Sequence, residues 1–201
     1  MTEELKKRQH IEVILMGDAE SGKTTMSWRF VGKEYVENPP KTIGCPPIVR
    51  ENYEIEFDIN GVKHKIKTKM IVLDTYGQER YKCVTRSDIK RAIGCMLVYN
   101  VTKKKSFENV KNWFDDMKKA HPEEDYPMIL VGNEIDLPDK RMVSKEEGQH
   151  LADELKIPFF ETSGKTMENI EIAFQTLGKI IMERKYTDFN PELIKISEDK
   201  S

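Results

Sequence analysis

The chain of 201 residues has no apolar run long enough to cross a bilayer, and its opening, MTEELKKRQH, lacks the apolar stretch of a secretion signal. A cytoplasmic location is expected. Basic excess is missing too: 33 Lys and Arg stand against 35 Asp and Glu, a formal net charge of -2, so no field favours nucleic acid or acidic lipid as a partner. Cysteine is scarce. Cys45, Cys83 and Cys95 are odd in number and far apart, and the four histidines show no zinc spacing with them or among themselves. Reduced thiols are expected rather than a disulfide framework or a zinc site. No internal repeat or low-complexity segment divides the chain. With 38% hydrophobic residues it can bury one ordinary core. The expected organisation is one domain over residues 10–185, between a flexible N-terminal tail, 1–9, and a C-terminal tail, 186–201.

What is present is alternation. The apolar runs IEVILM (11–16), CMLVYNV (95–101), PMILVG (127–132) and IPFF (157–160) each lead toward a helix-period segment, which predicts an α/β fold: a parallel sheet wrapped by helices. Phe107, Val110, Phe114 and Met117 share one helical face, and Ile170, Ala173, Phe174, Leu177, Ile180 and Ile181 share another; both stripes are core. Ser144 with Glu147 forms a capping box, and Ser106 is placed to cap the Phe107 helix. One stretch departs from the alternation. YEIEFDINGVKHKIKTK (53–69) is two period-2 runs joined by Asn60-Gly61, the pair that tolerates positive φ at both central turn positions. That turn sets Ile59 opposite Val62, then Asp58 with Lys63, Phe57 with His64, Glu56 with Lys65, Ile55 with Ile66 and Glu54 with Lys67. One face of the hairpin is acid against base and the other mostly apolar, so the lysine run reads as a solvated, internally paired surface.

Chemistry enters with GDAESGKT (17–24), which fits GxxxxGK[ST] between a strand and a helix. Backbone amides across Ala19, Glu20, Ser21, Gly22, Lys23, Thr24 and Thr25 can cradle phosphate oxygens, the Lys23 ammonium reaches the outer phosphates, and the Thr24 hydroxyl can bind magnesium. By itself the loop leaves kinases, ATPases and GTPases open. DTYGQE (74–79) follows the apolar run MIVL. Asp74 at the strand end can hold a metal, Gly77 lets an amide approach the terminal phosphate, and Gln78 can orient the attacking water. Alone, this stretch is equally an ordinary strand-to-turn junction. VGNEID (131–136) ends another strand, with Asn133 and Asp136 projecting from its loop. A carboxylate at Asp136 accepts two parallel hydrogen bonds from guanine's ring NH and amine, which adenine does not offer. ETSGK (161–165) closes the pocket, where a backbone amide among Ser163, Gly164 and Lys165 can donate to the base carbonyl.

Four motifs at strand ends, in this order, resemble the Ras superfamily of small GTPases over residues 10–183, nearest the Rab branch, with KTIGC, YGQERY and VYNVTKKKSFENVKNWF as supporting text. The resemblance implies a six-stranded, mostly parallel sheet with one antiparallel edge strand, helices on both faces, and GTP or GDP bound with magnesium. It implies a slow GTP-hydrolysing switch in vesicle trafficking or related signalling. Exchange factor, activating protein and effectors would meet the switch segments around Thr42 and Gln78, and the hairpin. Thr42, nineteen residues after Lys23, would join Thr24 and Asp74 at the magnesium. Tyr35 would flank the base, although a packing aromatic is an equal reading. Asn133, Asp136 and Lys165 would surround the base. The alternatives are a pseudo-GTPase scaffold and, more distantly, a P-loop kinase, in which NEID and ETSGK would be idle.

Several residues depart from the family pattern. Glu134 stands where the family has a lysine that covers the base and reaches the phosphate loop near Glu20, so both partners of that contact are acidic here. Losing the cover is expected to cost about 1–2 kcal/mol, roughly tenfold to thirtyfold in affinity. Glu20 itself is read as a carboxylate pointing to solvent. Tyr76 replaces an alanine beside the terminal phosphate, which favours slow intrinsic hydrolysis; an arginine supplied in trans is worth about three to five orders of magnitude in this chemistry. Gly164 replaces an alanine without expected harm, and Cys45-Pro46-Pro47 is unlike Rab text. The hairpin looks lengthened. No cysteine near the final EDKS offers a prenyl acceptor, so any place on endomembranes is expected to be peripheral, through partners or a C-terminal extension. Read from sequence, Glu134→Lys should slow nucleotide dissociation, which a fluorescent-nucleotide chase measures.

Overall fold

The computed structural model describes residues 10–37, 47–74, 86–123 and 125–189. Thr42, Cys45, Pro46, Tyr76, Gly77, Gln78, Cys83 and the two tails as far as residue 9 and from residue 190 lie outside the described residues. Six strands form one sheet: β1 (His10–Met16), β2 (Ile48–Ile59), β3 (Val62–Asp74), β4 (Gly94–Asn100), β5 (Met128–Asn133) and β6 (Phe159–Thr162). Their spatial order is β2-β3-β1-β4-β5-β6, and every pairing is parallel except β2 with β3 at the edge. The helices are α1 (Lys23–Phe30), α2 (Arg86–Arg91), α3 (Lys104–Glu108), α4 (Val110–Ala120), α5 (Lys145–Leu155) and α6 (Ile170–Phe189), with a 3₁₀ turn at Pro138–Lys140.

Continuous apolar strands follow from burial on both faces. Every residue of β4 and β5 is buried. Alternate side chains then feed two cores: Val13, Leu15, Met96 and Val98 pack with Met26 and Phe30 of α1 and Phe174, Leu177 and Ile181 of α6. Ile14, Met16, Leu97 and Tyr99 pack on the opposite face with Val110 and Met117 of α4 and Leu151 of α5. Both predicted stripes are therefore core, and the α/β fold with helices on both faces stands as expected.

The hairpin obeys the Asn-Gly rule residue by residue. Asn60 and Gly61 have φ of 52° and 79°, the Asp58 Oδ1 accepts from the Gly61 amide at 2.8 Å, and all six predicted pairs from Ile59–Val62 to Glu54–Lys67 are found. The polar face carries internal ion pairs, Lys65 with Glu54 and Glu56 and Lys67 with Glu54. The apolar face is covered by α6: Phe57 and His64 meet Tyr186, and Gln175 donates to the Glu54 carbonyl. A bulge between Arg50 and Tyr53, with Asn52 at φ 51°, shifts the register where β2 passes α1. There the Arg50 guanidinium lies over the rings of Phe30 and Tyr53 and bonds Glu171 at 2.6 Å.

Capping is borne out at one of two serines. Ser144 Oγ accepts from the Glu147 amide while the Glu147 carboxylate accepts from the Ser144 amide. Ser106 is no cap. It sits inside α3, whose first residue follows Lys103, and its buried hydroxyl accepts from the Asn100 amide at 3.0 Å and donates to the Lys103 carbonyl at 2.7 Å. A strand end that must satisfy its own polar groups claims the hydroxyl before the helix does. For the hairpin, Ile55→Ala should lower stability by about 2–4 kcal/mol, because Ile55 is fully buried beneath α6. Val62→Ala, on the same face but exposed beside the turn, should change it by under about 0.5 kcal/mol. Denaturant melts distinguish them; equal losses would refute docking of the hairpin.

Candidate functional site

Parallel strands bring their carboxyl ends to one edge of the sheet, where the last residues of β1, β3, β4, β5 and β6 lie with the loops that leave β1, β4, β5 and β6. The loop after β1 leaves through Gly17, φ 148°, where a Cβ would lie 2.0 Å from the Val98 carbonyl oxygen. No other residue fits. It closes at Gly22, φ 84°, where a Cβ would lie 2.0 Å from the Asn133 amide nitrogen, and α1 begins at the next residue. Lys23 is only 4% exposed, and its ammonium donates to the carbonyls of Gly17 at 2.9 Å and Asp18 at 2.7 Å. The Asp18 carboxylate accepts from the Trp113 indole at 2.8 Å and the Asn109 amide at 2.7 Å, which ties the loop to α4 and the residue before it. A curled backbone, a buried ammonium and a helix N-terminus together suit an anion.

Asp74 ends β3 beside the loop. Its Oδ2 accepts from the Thr24 hydroxyl at 2.5 Å, while its buried Oδ1 has no hydrogen-bond partner among the described residues. Burial pushes this carboxyl above the usual range, opposed by the Thr24 bond and the Lys23 charge. An orphaned carboxylate oxygen beside a hydroxyl suits a hard divalent cation, and the pair leaves most of the coordination to phosphate and water. No group of three His, Cys, Asp or Glu gathers among the described residues to hold a metal unaided.

The base-side residues divide into two roles. Asn133 does not project as expected from sequence. It is 1% exposed, donates to the Ser21 carbonyl at 3.0 Å and accepts from the Thr162 hydroxyl at 3.1 Å, so it pins the phosphate loop to β6. Asp136 is half-buried and held by the Ser163 hydroxyl at 2.6 Å; Ser163 in turn accepts from the Thr166 amide. Gly164 is buried, and a Cβ there would lie 2.8 Å from Thr25 Cγ2, so its lack of a side chain makes room for Thr25. Lys165 is exposed. Ala19 and Glu20 form the exposed crest of the phosphate loop, and Tyr35 is 37% exposed on the segment after α1, with no ring contact to another described residue.

Glu20 does point to solvent, with its side chain 71% exposed, but it is paired there with Lys103. Glu134, at φ 71°, turns inward, and its Oε2 accepts from the Asn100 amide at 2.5 Å. Burial raises the Glu134 carboxyl; the Asn100 bond and the Lys103 charge oppose this, while Asp136 and Glu20 add to it. Sequence reading does not single out Asp18, Asn100 or Lys103. Asp18 stands inside a quoted motif, yet its partners are more than ninety residues away. Lys103 opens a run of three lysines directly after β4, and that basic run near an acidic loop is the signal available.

Comparison with known proteins agrees with this geometry. A model of the Ras family matches residues 12–183. Ras-related protein Rab-8B of Homo sapiens is 37% identical over 197 residues, covering 94% of this chain and 90% of the relative. Ras-related protein SEC4 of Candida albicans is 39% identical over 175 residues, covering 87% of this chain and 78% of the relative. GTP-binding protein ypt2 of Schizosaccharomyces pombe is 39% identical over 175 residues, covering 87% and 82%. With the sheet order, the phosphate loop and the Asp136–Ser163 pair already in place, this chain belongs to the Ras family as a Rab-like small GTPase.

Proposed function

We propose that the chain is a guanine-nucleotide-dependent switch of vesicle traffic that binds GTP or GDP with magnesium and hydrolyses GTP slowly. The observation that carries this reading is the convergence of a phosphate loop, an Asp74 oxygen without a hydrogen-bond partner among the described residues, and a Ser163-oriented Asp136 at one edge of the sheet. In it the Lys23 ammonium and the amides of residues 19–25 receive the phosphates, and Asp136 selects guanine through its two-point acceptor. Thr24, Asp74 and Thr42 would hold the magnesium, which when bound offsets the charge of the terminal phosphates. Gln78 orients a water for attack on the γ-phosphorus; the bond to the bridging β–γ oxygen breaks, and GDP and phosphate are the products. Loss of the γ-phosphate then releases the segments around Thr42 and Gly77, which is the switching event read by exchange factors, activating proteins and effectors. Tyr35 flanks the base, and Lys165 lies along it. Among the described residues no helix is long and apolar enough to cross a membrane, and the chain is placed at endomembranes peripherally, through its partners.

A second reading, a scaffold that holds GDP or nothing, is favoured by one observation: a carboxylate, Glu134, turned into the base-side loops. Protein purified without added nucleotide separates the two. Bound GDP and slow single-turnover phosphate release with magnesium support the switch, no guanine affinity at saturating GTP overturns it, and bound adenine nucleotide points to a kinase.

Two substitutions probe the site. Asp136→Asn removes a charge-assisted pair of acceptors and should weaken GDP binding about 100-fold or more in a titration. Asp74→Asn works in opposite directions on two properties. The folded state raises the Asp74 carboxyl above its unfolded value, so it binds the proton more tightly, and stability falls as pH rises through the raised value. Removing that buried charge should therefore stabilise the nucleotide-free protein at neutral pH by about 1 kcal/mol, roughly 2–4 °C in Tm. The same change should abolish the slowing of GDP release by magnesium; a retained magnesium effect would remove Asp74 from the metal site.

A further inference from the structure

Between the phosphate loop and the base-side loop stands a network of five residues, Glu20, Asn100, Thr102, Lys103 and Glu134, whose side chains the switch mechanism does not use. Asn100, the last residue of β4, donates through one amide nitrogen both to the Glu20 carbonyl at 3.1 Å and to Glu134 Oε2 at 2.5 Å. Its own oxygen is fixed by the Thr102 amide at 2.8 Å and hydroxyl at 2.7 Å, so the side chain is oriented before either loop arrives. Three residues on, Lys103 pairs with the Glu20 carboxylate, and its charge also acts on Glu134. Glu134 Oε1 lies 3.9 Å from the position a Cβ would take at Gly22, so the glutamate rests against the phosphate loop itself. The Glu20 carbonyl and the Glu134 carboxylate thus share the amide of Asn100 at the end of β4, and the Glu20 carboxylate is paired with Lys103 in the turn that follows.

We propose that Lys103 is a positioning residue for nucleotide retention: its ammonium group, with Asn100, holds the Glu20 and Glu134 loops together and keeps both carboxylates turned away from the phosphates. The inference rests on the guanine-nucleotide reading for its effect on release, but not for the coupling itself. Glu134 is half-buried, and a carboxylate so placed is kept ionised by a countercharge. Among the described residues the charged groups acting on it are Lys103, Asp136 and Glu20, of which only Lys103 is positive. Without Lys103 the two acidic loops repel, and the phosphate loop loses its tie at Glu20.

The network also changes what Glu134→Lys does. That substitution removes the acceptor of Asn100 and sets a second ammonium group beside Lys103. The slower release expected from sequence therefore requires Lys103→Glu in the same chain.

The experiment measures GDP release from the loaded protein, its salt dependence, and the titration of Glu134 by NMR in protein stripped of nucleotide. Lys103→Met, which keeps the apolar stem, should speed release about three- to tenfold at low salt and flatten the salt dependence, because screening weakens the same interaction in the parent protein. Lys103→Arg should behave as the parent. The swap Glu20→Lys with Lys103→Glu should recover most of the loss at Glu20, and because position 103 acts on Glu134 more strongly than position 20, the Glu134 midpoint should rise above the parent's. In the stripped protein, Lys103→Met should raise the Glu134 midpoint as well. An unchanged release rate or an unchanged midpoint in Lys103→Met overturns the proposal. If the parent protein binds no guanine nucleotide, the function proposed above fails, and the Glu134 midpoint still decides whether Lys103 couples to it.

Discussion

A buried ammonium group organises the site. Lys23 is withdrawn from water by the curl of the loop that precedes it, and a cation in that position must be met by lone pairs. The carbonyls of Gly17 and Asp18 meet it. With these oxygens turned toward Lys23, the loop takes up the shape of a cradle around the start of α1, where the dipole is positive. Gly17 is indispensable to that curl because the Val98 carbonyl leaves no space for a side chain. The anion site thus begins with a steric demand at one residue and a solvation demand at another.

The rest of the fold presents other groups to that cradle at fixed places. Parallel pairing of β1 with β3 sets Leu15 opposite Asp74, which brings a carboxylate to the Thr24 hydroxyl. Pairing of β4, β5 and β6 aligns Asn100, Asn133 and Thr162 in one row across the sheet. Thr162 donates to Asn133, Asn133 donates to the phosphate loop, and Asp136, three residues farther along, is held by Ser163. The hairpin stands outside this arrangement, yet α6 covers its apolar face and α1 is linked to it through Arg50. Movement of β2 and β3 relative to the loop would have to break that packing.

How much of this is legible in the sequence depends on how local the cause is. Asn60-Gly61 dictates positive φ at two positions, and alternation does the remainder, so the hairpin register can be read pair by pair. Apolar runs without alternation state that a strand is buried on both faces, and the phosphate loop carries its own glycines. Ser106 shows the limit. Its spacing from the helical stripe satisfies the rule for a cap, but the strand end six residues earlier supplies a competing demand that no periodicity displays. Asn133 shows it again: a polar residue at the end of a strand reads as projecting, and three-dimensional proximity to Ser21, across 112 residues of chain, turns it inward. Gly164 shows a third case: in sequence it reads as a neutral loss of a methyl group, whereas a Cβ there would lie 2.8 Å from Thr25 Cγ2.

Charge balance is where local reading is least adequate, since like charges close in space need not be close in sequence. Two glutamates near a polyanion look unfavourable when each is weighed alone. Solvent screens the exposed Glu20, so its carboxylate costs little provided its backbone remains in the loop. Glu134 is different because it is half-buried, and its carboxyl stands above the usual range, raised first by burial and drawn down by Asn100 and Lys103. A group in that state has little to gain by approaching phosphate and much to gain from a donor. The turn after β4 supplies that donor as an amide already held by Thr102, with an ammonium group behind it. The sheet edge that gathers the buried ammonium of Lys23 thus also gathers a second cation, Lys103, beside the acidic side chains of Glu20 and Glu134.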